Sequence, residues 1–545
     1  MKRYIRAIRQ VALMDIIFSG LYSLMLAFMP YLQKLLFDGK FGFHSQGLLL
    51  LGSLYLGCML LSAIFQYISQ THTWKTGVAF HLAVKSDLFR ALSQYSFKRF
   101  SKRDKGEYTS MLNNDVQLLS TQFVDAFVDI IKSGLMLVIS AIFVFLLVDY
   151  RIAIVLLASS LLAVFVPRLM SDKLSNTRKM YQEQLGHYFS RIQDLWEGFK
   201  RIHAVNREHV NEVHEGILQE TEGKKLAFGI RKTLANIVNG FVMDFVKLMA
   251  FLTVGYLLIR GKISVGTGIA TFGYVESFIY PIRYILNDVN DIHSTREVKK
   301  KLLGFLEEEK EERPVIAEFR QDIEFKGVEA RLEHFCLAPF HFTFERGKAY
   351  AIIGRSGSGK STLLDAFMGY VDLEQGCVLV DGEDTTGKDL SPICFHLDQR
   401  AHLFADTLEQ NGTDFGSYPS ERVDGELAKL RWEKLSRLKT ERNVQVASGG
   451  EKQGIHFLRL LVADSPILLL DEPFSAMDEH RTDIMLRHLL SLEDKTIILI
   501  THKLSKAHLE QFDEILLLEN GVLKQSGSWE KIEISPEFGS LSVGH

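Results

Sequence analysis

One glycine-rich stretch decides the fold of the second half of this chain: Gly354-Arg355-Ser356-Gly357-Ser358-Gly359-Lys360-Ser361, followed by Thr362. A run typical of a buried strand, 349–353, precedes it, and a helix-like run, 361–370, follows it. Glycine lets the backbone turn tightly, so that successive N–H groups can converge on phosphate oxygens at the start of a helix. The stretch therefore predicts a phosphate-binding loop, in which Lys360 reaches the β- and γ-phosphates of a nucleotide and the Ser361 hydroxyl meets Mg²⁺.

Two acidic residues and a histidine follow strand-like runs in the same half of the chain. Asp471 and Glu472 end the run 467–470, and His502 follows the run 496–500. Beside a phosphate loop, Asp471 is expected to hold Mg²⁺ and Glu472 to polarise a water molecule against the γ-phosphate. A lone histidine is more often structural, but a place after a strand favours contact of His502 with the γ-phosphate. Alternating strand-like and helix-like runs predict an α/β domain here.

The segment Ser448-Gly449-Gly450 offers a second candidate anion site. It precedes a helix-like run, 454–463. The serine hydroxyl and the free N–H groups at a helix start attract anions. A simple N-cap by Ser448 is the alternative explanation.

Composition limits the class of protein. The chain has 545 residues, enough for two or three domains, and its formal net charge of -3 gives no indication of nucleic-acid binding. Its four cysteines lack C-x-x-C spacing, which argues against a zinc site or a disulfide framework. The longest apolar runs are concentrated in the first ~300 residues, and the remainder has the composition of a soluble domain.

Six apolar runs in the first part are long enough to cross a bilayer, which takes about 20 helical residues. They lie at about 11–33, 47–69, 127–148, 150–170, 234–259 and 264–287. The first run is too long for a signal peptide and lacks a small-residue cleavage site. We therefore predict a multi-domain chain with a six-helix, all-α transmembrane domain over 1–300, a linker over 301–320 and an α/β P-loop ATPase domain over 321–545.

The distribution of positive charge predicts the orientation. The N-terminus and the two long connections, 70–126 and 171–233, are rich in lysine and arginine. The positive-inside rule places these segments in the cytoplasm, and six crossings return the chain there. The sequence thus predicts an integral protein of the cytoplasmic membrane, with its N-terminus and ATPase domain in the cytoplasm.

Several charged residues lie inside the apolar runs, where lipid contact is costly. Asp129 and Lys132, like Asp244 and Lys247, are three residues apart, so each pair can be neutralised on one helical face. Structural pairing and a role in lining a substrate path both remain open for these pairs. Glu276, without an obvious local partner, is the better candidate for a cavity.

Taken in order, these motifs resemble those of the ATP-binding cassette (ABC) transporter family, and the resemblance covers essentially the whole chain. The matching segments are the Walker A motif, 354–362; the Q-loop glutamine, Gln399; the signature, Ser448-Gly449-Gly450; the Walker B motif, 467–472; the D-loop, Ser475-Ala476-Met477-Asp478; and the switch histidine, His502. The membrane part is similar to a six-helix exporter half. The resemblance implies ATP and Mg²⁺ as cofactors. It also implies that Gln399 acts in catalysis and at the metal, and that the signature and Asp478 contact nucleotide.

The resemblance further implies a dimeric mechanism. Two cassettes would pair head to tail around two ATP molecules, each held between the phosphate loop of one chain and the signature of the other. Closure would turn the membrane halves outward, and hydrolysis would reopen them. A second half-transporter chain is therefore an expected partner, together with the lipid bilayer and an unidentified exported substrate. An ATP-gated regulatory or channel subunit is the alternative, and the presence of Glu472 and His502 favours an ATP hydrolase.

The sequence departs from the family pattern at the signature and at the adenine site. Ala447 stands where leucine is usual, and Glu451 where glutamine is usual. The aromatic residue that stacks on adenine in the family is expected near Leu332, where the sequence has no clear match; His334 and Phe335 are alternatives, and the residue that stacks on adenine stays open. Because the altered signature serves the other chain's site, we expect a heterodimer whose partner has a full signature and a defective Walker B or switch position. A homodimer is the alternative.

Overall fold

The structure is a computed structural model that describes residues 1–41, 44–307, 313–332, 335–399, 401–502 and 505–534. Contacts divide the chain into two units. The first comprises Met1–Gln94 and Asp104–Glu309, and the second comprises Tyr95–Arg103 and Lys310–His545. Part of the predicted linker, 308–312, lies outside the described residues, so the linker bounds stay a prediction.

The first unit is built from long helices. Those of 30 residues or more are α1 (Lys2–Phe37), α2 (Ser45–Leu92), a helix over Lys105–Val148, α7 (Tyr150–Glu197), α8 (Arg207–Ile259) and α9 (Val265–Ser294). The helix over Lys105–Val148 consists of α4 (Lys105–Ser110), α5 (Val116–Leu119) and α6 (Ala126–Phe143), with π-helical turns at Met111–Asp115, Ser120–Asp125 and Val144–Val148. A shorter helix, α10 (Arg296–Glu307), follows α9. Five predicted spans lie within one of these long helices, and the sixth, 264–287, starts at the N-cap residue of α9.

Four helices in the described part of the chain are apolar and long enough to cross a membrane: Arg3–Phe37, Ser45–Leu92, Lys105–Val148 and Arg207–Ile259. The predicted span 150–170 falls in α7, whose apolar start is Tyr150–Ser160, but the side chains of 161–173 lie outside the description. The predicted span 264–287 falls in α9, which begins at Val265, contains Glu276 and Pro281, and is not among these four helices. The all-α membrane domain predicted from the sequence is confirmed.

A buried polar cluster ties three helices of this unit together. The Asp15 carboxylate on α1 accepts hydrogen bonds from Ser69 Oγ at 2.5 Å and Thr73 Oγ1 at 2.8 Å, both on α2. Lys132 Nζ on α6 lies 3.1 Å from Asp15 and 2.6 Å from Asp129. The predicted Asp129–Lys132 pair is therefore confirmed. Its connection to Asp15, 117 residues away, depends on tertiary packing.

The other charged residues of the apolar runs are less enclosed. Lys247 pairs with Asp244 at 3.6 Å, as predicted, with both side chains more than half exposed. Glu276 is exposed on α9. Its assignment to a cavity stays a prediction.

The second unit contains the predicted α/β domain. The strands among its described residues are β1 (Asp322–Leu332), β2 (Phe335–Glu345), β3 (Ala349–Ile353), β4 (Leu373–Val380), β5 (Glu383–Asp384), β6 (Cys394–Leu397), β7 (Ile467–Asp471), β8 (Thr496–Ile500), β9 (Glu514–Glu519) and β10 (Val522–Gly527). Its helices are α3 (Phe97–Ser101), α11 (Lys360–Phe367), α12 (Leu408–Gly412), α13 (Ser420–Leu430), α14 (Glu433–Arg437), α15 (Gly449–Ala463), α16 (Glu479–Leu490), α17 (Lys506–Leu509) and α18 (Trp529–Glu533).

Two sheets organise this unit. One is antiparallel, with the order β2-β1-β4-β5, and the other has the order β10-β9-β3-β8-β7-β6. In the second sheet β3, β6, β7, β8 and β9 run parallel. All residues of β3, β7 and β8 are buried, as expected for central strands of a parallel sheet covered on both faces. The carboxyl ends of these strands meet at one edge, where ligands of such sheets bind.

The short helix α3 is packed within the second unit. The ring of Phe97 lies 4.8 Å from that of Tyr370, which follows α11. Lys98 forms an ion pair with Asp372. These contacts explain why residues 95–103 group with the α/β domain although the predicted boundary put them in the membrane domain.

Candidate nucleotide site

The phosphate loop joins β3 to α11, and its glycines are required by close neighbours. Gly354 has φ 156, and a Cβ placed there would come within 2.1 Å of the Leu518 carbonyl oxygen on β9. Gly359, at φ 97, caps α11, and a Cβ there would lie 2.3 Å from the ring of Phe335. Larger residues would therefore displace the loop from both sides.

One of the aromatic substitutes expected near adenine thus packs on the phosphate loop itself. Phe335 begins β2 and is half-buried. Leu332 ends β1 and is 42% exposed. His334 lies outside the described residues.

Lys360 is folded into its own loop. Its side chain is buried, and Nζ donates hydrogen bonds to the carbonyl oxygens of Gly354 at 3.0 Å and Arg355 at 2.9 Å. Burial lowers the pKa of Lys360 to about 8, although Glu472 and Asp471 oppose this shift. Nζ also lies 3.4 Å from the Ser358 hydroxyl. A poorly solvated ammonium group held by these neutral dipoles is suited to receive an anion such as a phosphate.

Asp471 and Ser361 form a pair of oxygen donors beside the loop. Asp471 ends β7 and is 4% exposed, and its carboxylate is hydrogen-bonded to the Ser361 side chain. Burial raises the pKa of Asp471, and the bond to Ser361 partly offsets this rise. A carboxylate and a hydroxyl side by side are hard ligands of the type that Mg²⁺ prefers. The residues present thus fit a magnesium ion.

Glu472 is held from two sides. Gln399 Nε2, after β6, donates to Oε2 of Glu472 at 3.1 Å, and His502 Nε2, after β8, lies 3.1 Å from Oε1. Glu472 has a left-handed backbone, φ 49, and its N–H donates to the Ile500 carbonyl at 3.0 Å. Residues held in this conformation concentrate at functional sites. The structure thus brings together the three residues predicted to act in catalysis.

His502 is set up as a neutral imidazole. Burial and then the nearby Lys360 lower its pKa below the ordinary value of 6.5, while Glu472 opposes the shift. A neutral ring can donate one hydrogen bond from Nε2 to the Glu472 carboxylate. Clefts of 530 and 550 Å³ open on the two sides of Glu472, one including His502 and the other Gln399.

The signature forms the start of α15. The helix begins at Gly449, five residues before the predicted start, because Ser448 and Glu451 form a capping box. The backbone N–H and the hydroxyl of Ser448 donate to Glu451 Oε2 at 2.8 and 2.7 Å. These bonds lower the pKa of Glu451. Ala447, the other departure from the family pattern, is buried in the hydrophobic core.

The signature packs on the D-loop. A Cβ on Gly449 would lie 3.6 Å from Ala476 Cβ, and one on Gly450 would lie 3.3 Å from the Ala476 carbonyl oxygen. Asp478 caps α16, with Oδ1 accepting from the Arg481 N–H at 2.8 Å.

The predicted site residues therefore form two groups. The first surrounds the phosphate loop and contains 354–362, Gln399, Asp471, Glu472 and His502. The second contains Ser448, Gly449, Gly450 and Asp478, whose contacts in the described part of the chain are with Glu451, the D-loop and the start of α16.

Sequence reasoning missed Gln453. Its side chain on α15 lines the cleft that contains Gln399 and Glu472. It lies four residues after Gly449 and three after Gly450, so all three share a helical face. That spacing is the signal that could have identified it once the helix start was known.

Comparisons with known proteins agree with this architecture. The sequence family described as "ABC transporter transmembrane region" matches residues 12–282, and the family described as "ABC transporter" matches residues 337–475. An ATP-dependent lipid A-core flippase of Haemophilus influenzae is 26% identical over 525 residues, covering 91% of this chain and 88% of the relative. The flippase of Mannheimia succiniciproducens is 25% identical over 528 residues, covering 92% and 89%.

A solved structure has the same fold. The structure of a bacterial Atm1-family ABC exporter with ATP bound aligns with a TM-score of 0.78 and 19% sequence identity. The alignment covers 99% of this chain and 98% of that one.

A helical membrane domain joined to a P-loop α/β domain with this arrangement of acids defines an ATP-driven membrane transporter. The chain belongs to the ABC transporter family, as an exporter-type protein with fused membrane and ATP-binding domains. It is an integral membrane protein that binds ATP.

Proposed function

We propose that this chain is one half of an ABC exporter whose own phosphate loop, acids and histidine hydrolyse ATP. The placement of the Glu472 carboxylate between Gln399 and His502 carries the proposal. Glu472 polarises the attacking water, His502 orients Glu472 and contacts the γ-phosphate, and residues 354–362 hold the phosphates. Ser361, Asp471 and Gln399 would hold Mg²⁺, which supplies charge neutralisation at the phosphates when bound.

The signature completes a second site in a partner chain. In this chain it contacts the D-loop and Glu451, so its Ser448 hydroxyl and N–H groups are arranged around an anionic group already. A γ-phosphate from the opposite chain would take the place of the carboxylate at Ser448. Asp478, the last residue of the D-loop, caps the following helix and would contact the nucleotide there.

The identity of the partner chain, a different half-transporter or a second copy of this chain, is a separate part of the proposal. Glu451 adds negative charge beside the proposed phosphate position, which favours a heterodimer whose other chain hydrolyses poorly. Two observations favour a homodimer as the second candidate: Glu451 is satisfied by Ser448, and Ala447 is accommodated in the core. The mass of the chain expressed alone, measured in detergent with its ATPase rate, decides between them. An active, substrate-responsive homodimer would overturn the heterodimer.

The substrate and orientation follow from the relatives and from charge. The two relatives are named as lipid A-core flippases, and this chain matches them along nearly their whole length. We therefore propose an amphipathic lipid as the exported substrate. By the positive-inside rule, the lysine- and arginine-rich connections favour a cytoplasmic position for the N-terminus and the cassette, with the membrane helices in the cytoplasmic membrane.

The experiment is reconstitution of the purified chain in lipid nanodiscs, with and without its partner. We expect Mg²⁺-dependent ATPase activity that rises when lipid A-core is added to the disc lipids. Glu472→Gln is the matched inactive control. ATPase activity that responds to other amphiphiles and not to lipid A-core would contradict the substrate proposal, and absence of Mg²⁺-ATPase activity would contradict the exporter.

A further inference from the structure

The side-chain amide of Gln453 makes a two-point contact with the D-loop. Nε2 donates to Ser475 Oγ at 2.8 Å, and Oε1 accepts from the Ala476 N–H at 2.9 Å. A glutamine amide supplies one donor and one acceptor at its tip, so a single residue satisfies both D-loop groups. The contact joins residues 22 and 23 positions apart in the sequence.

The same loop is fixed to Glu472. The Ser475 N–H donates to the Glu472 carbonyl oxygen at 3.3 Å, which closes the turn between the end of β7 and the D-loop. Ser475 is therefore bonded to Glu472 through its backbone and to Gln453 through its side chain. This gives a continuous path of hydrogen bonds from the signature helix to the backbone of the proposed catalytic acid.

The signature helix and the D-loop are also closely packed against each other. A Cβ on Gly450, at the start of the same helix, would lie only 3.3 Å from the Ala476 carbonyl oxygen. Gln453 thus accepts from the Ala476 N–H, and the signature backbone passes the Ala476 carbonyl group so closely that Gly450 has no room for a side chain without a shift. A displacement of the signature helix must then move Ser475 and Ala476 with it, because packed elements shift together.

We infer that Gln453 is a positioning residue, which transmits the position of the signature helix to the Glu472 backbone of the same chain. The inference rests on the proposed ATP hydrolysis at Glu472. The signature serves the partner's ATP and Glu472 serves this chain's own, so Gln453 couples the two sites within one chain. Its side chain touches neither the phosphate loop nor Lys360 in the described part of the chain. ATP affinity and turnover should therefore respond differently to its loss.

The test compares Gln453→Leu with wild type in nanodiscs. Leucine is similar in size and removes both hydrogen bonds. We expect kcat to fall about tenfold, while the dissociation constant of a fluorescent ATP analogue stays within about twofold. Gln453→Glu keeps an acceptor for the Ala476 N–H and for the Ser475 hydroxyl, so it should restore kcat to within about threefold of wild type. Gln511→Leu is the matched control, at an exposed glutamine whose side chain donates to the Ala507 carbonyl oxygen one turn earlier, and its kcat and ATP affinity should equal those of wild type.

A second variant tests the inference if Gln453→Leu does not fold. Ser475→Ala removes one of the two bonds and leaves Gln453 in place, and it should lower kcat about threefold without changing affinity. The inference is overturned if Gln453→Leu turns over like wild type, if affinity falls in proportion to kcat, or if Gln453→Glu is no better than leucine. A wild-type chain without Mg²⁺-ATPase activity would instead overturn the proposed function, and the inference with it.

Discussion

The Nε2 atom of His502 lies 3.1 Å from Oε1 of Glu472, across the carboxyl ends of two adjacent parallel strands. Gln399 holds the other carboxylate oxygen at the same distance, 3.1 Å, from the end of the next strand along the sheet. The central one of three consecutive strands thus supplies the carboxylate, and each of its two neighbours supplies one residue that contacts it. The position of this carboxylate relative to the phosphate loop is therefore set by strand register.

Replacement of Glu472 by glutamine should separate binding from hydrolysis. The amide keeps hydrogen-bonding capacity but cannot polarise water as a carboxylate does, so kcat should fall by about 10²-fold or more. The dissociation constant of ATP should remain within about twofold, because Lys360 and the loop are untouched. Steady-state ATPase assays and equilibrium binding in nanodiscs measure the two quantities. Hydrolysis near the wild-type rate would remove Glu472 from its assigned role.

Replacement of Lys360 by alanine should weaken ATP binding, the step that precedes hydrolysis. The substitution removes the buried ammonium group and leaves the Gly354 and Arg355 carbonyl groups without this donor. We expect ATP affinity to weaken by about tenfold or more, since a charge-assisted hydrogen bond to phosphate is lost. Lys524→Ala, at an exposed position on β10, is the control for loss of one positive charge. Equal ATP dissociation constants for the two variants would contradict the prediction.

The pH dependence of turnover should reflect neutral His502. Burial and Lys360 lower its pKa below the ordinary value of 6.5, so protonation of the ring is shifted to more acidic solution. The acidic decline of kcat should therefore have its midpoint below pH 6.5. His502→Gln should remove that acidic decline while lowering the plateau. Suppose instead that the pH profile of kcat shows an apparent pKa at or above 6.5, and that it is absent in His502→Gln. Burial would then not lower the pKa of His502.

Loss of Lys132 should destabilise the membrane domain. Lys132→Met leaves the Asp15 carboxylate, 1% exposed, without its cationic partner, which costs about 3–5 kcal/mol. The thermal midpoint in detergent should fall, and the double variant Asp15→Asn with Lys132→Met should recover part of the loss. Lys179→Met breaks a pair whose side chains are 75% and 62% exposed and should change stability by less than about 1 kcal/mol. Similar thermal midpoints for Lys132→Met and Lys179→Met would show that Asp15 does not depend on this lysine.

Local pattern was sufficient for much of the candidate site. Short-range features of the site include the phosphate loop and the apolar strands before Asp471 and His502. In the membrane domain, the paired charges at Asp129 and Lys132 are also a short-range feature. A glycine-rich turn, a buried strand and a three-residue helical spacing each depend on neighbours along the chain. The predicted start of α15 was five residues too late, because two consecutive glycines are unfavourable in a helix. The Ser448–Glu451 capping box stabilises the first turn in spite of them.

The sequence by itself determined the class of this protein, because apolar run lengths and the glycine-rich loop obey constraints of the bilayer and of backbone geometry that act locally. Only the tertiary structure decided which distant groups meet: Gln399 with Glu472, Phe335 with Gly359, Asp15 with Lys132 and Gln453 with the D-loop. Each of these contacts closes a loop of 22 residues or more, from 22 at Gln453 and Ser475 to 117 at Asp15 and Lys132. Such contacts depend on strand order and helix packing, which hydrophobic burial selects for the whole domain and which no short segment encodes.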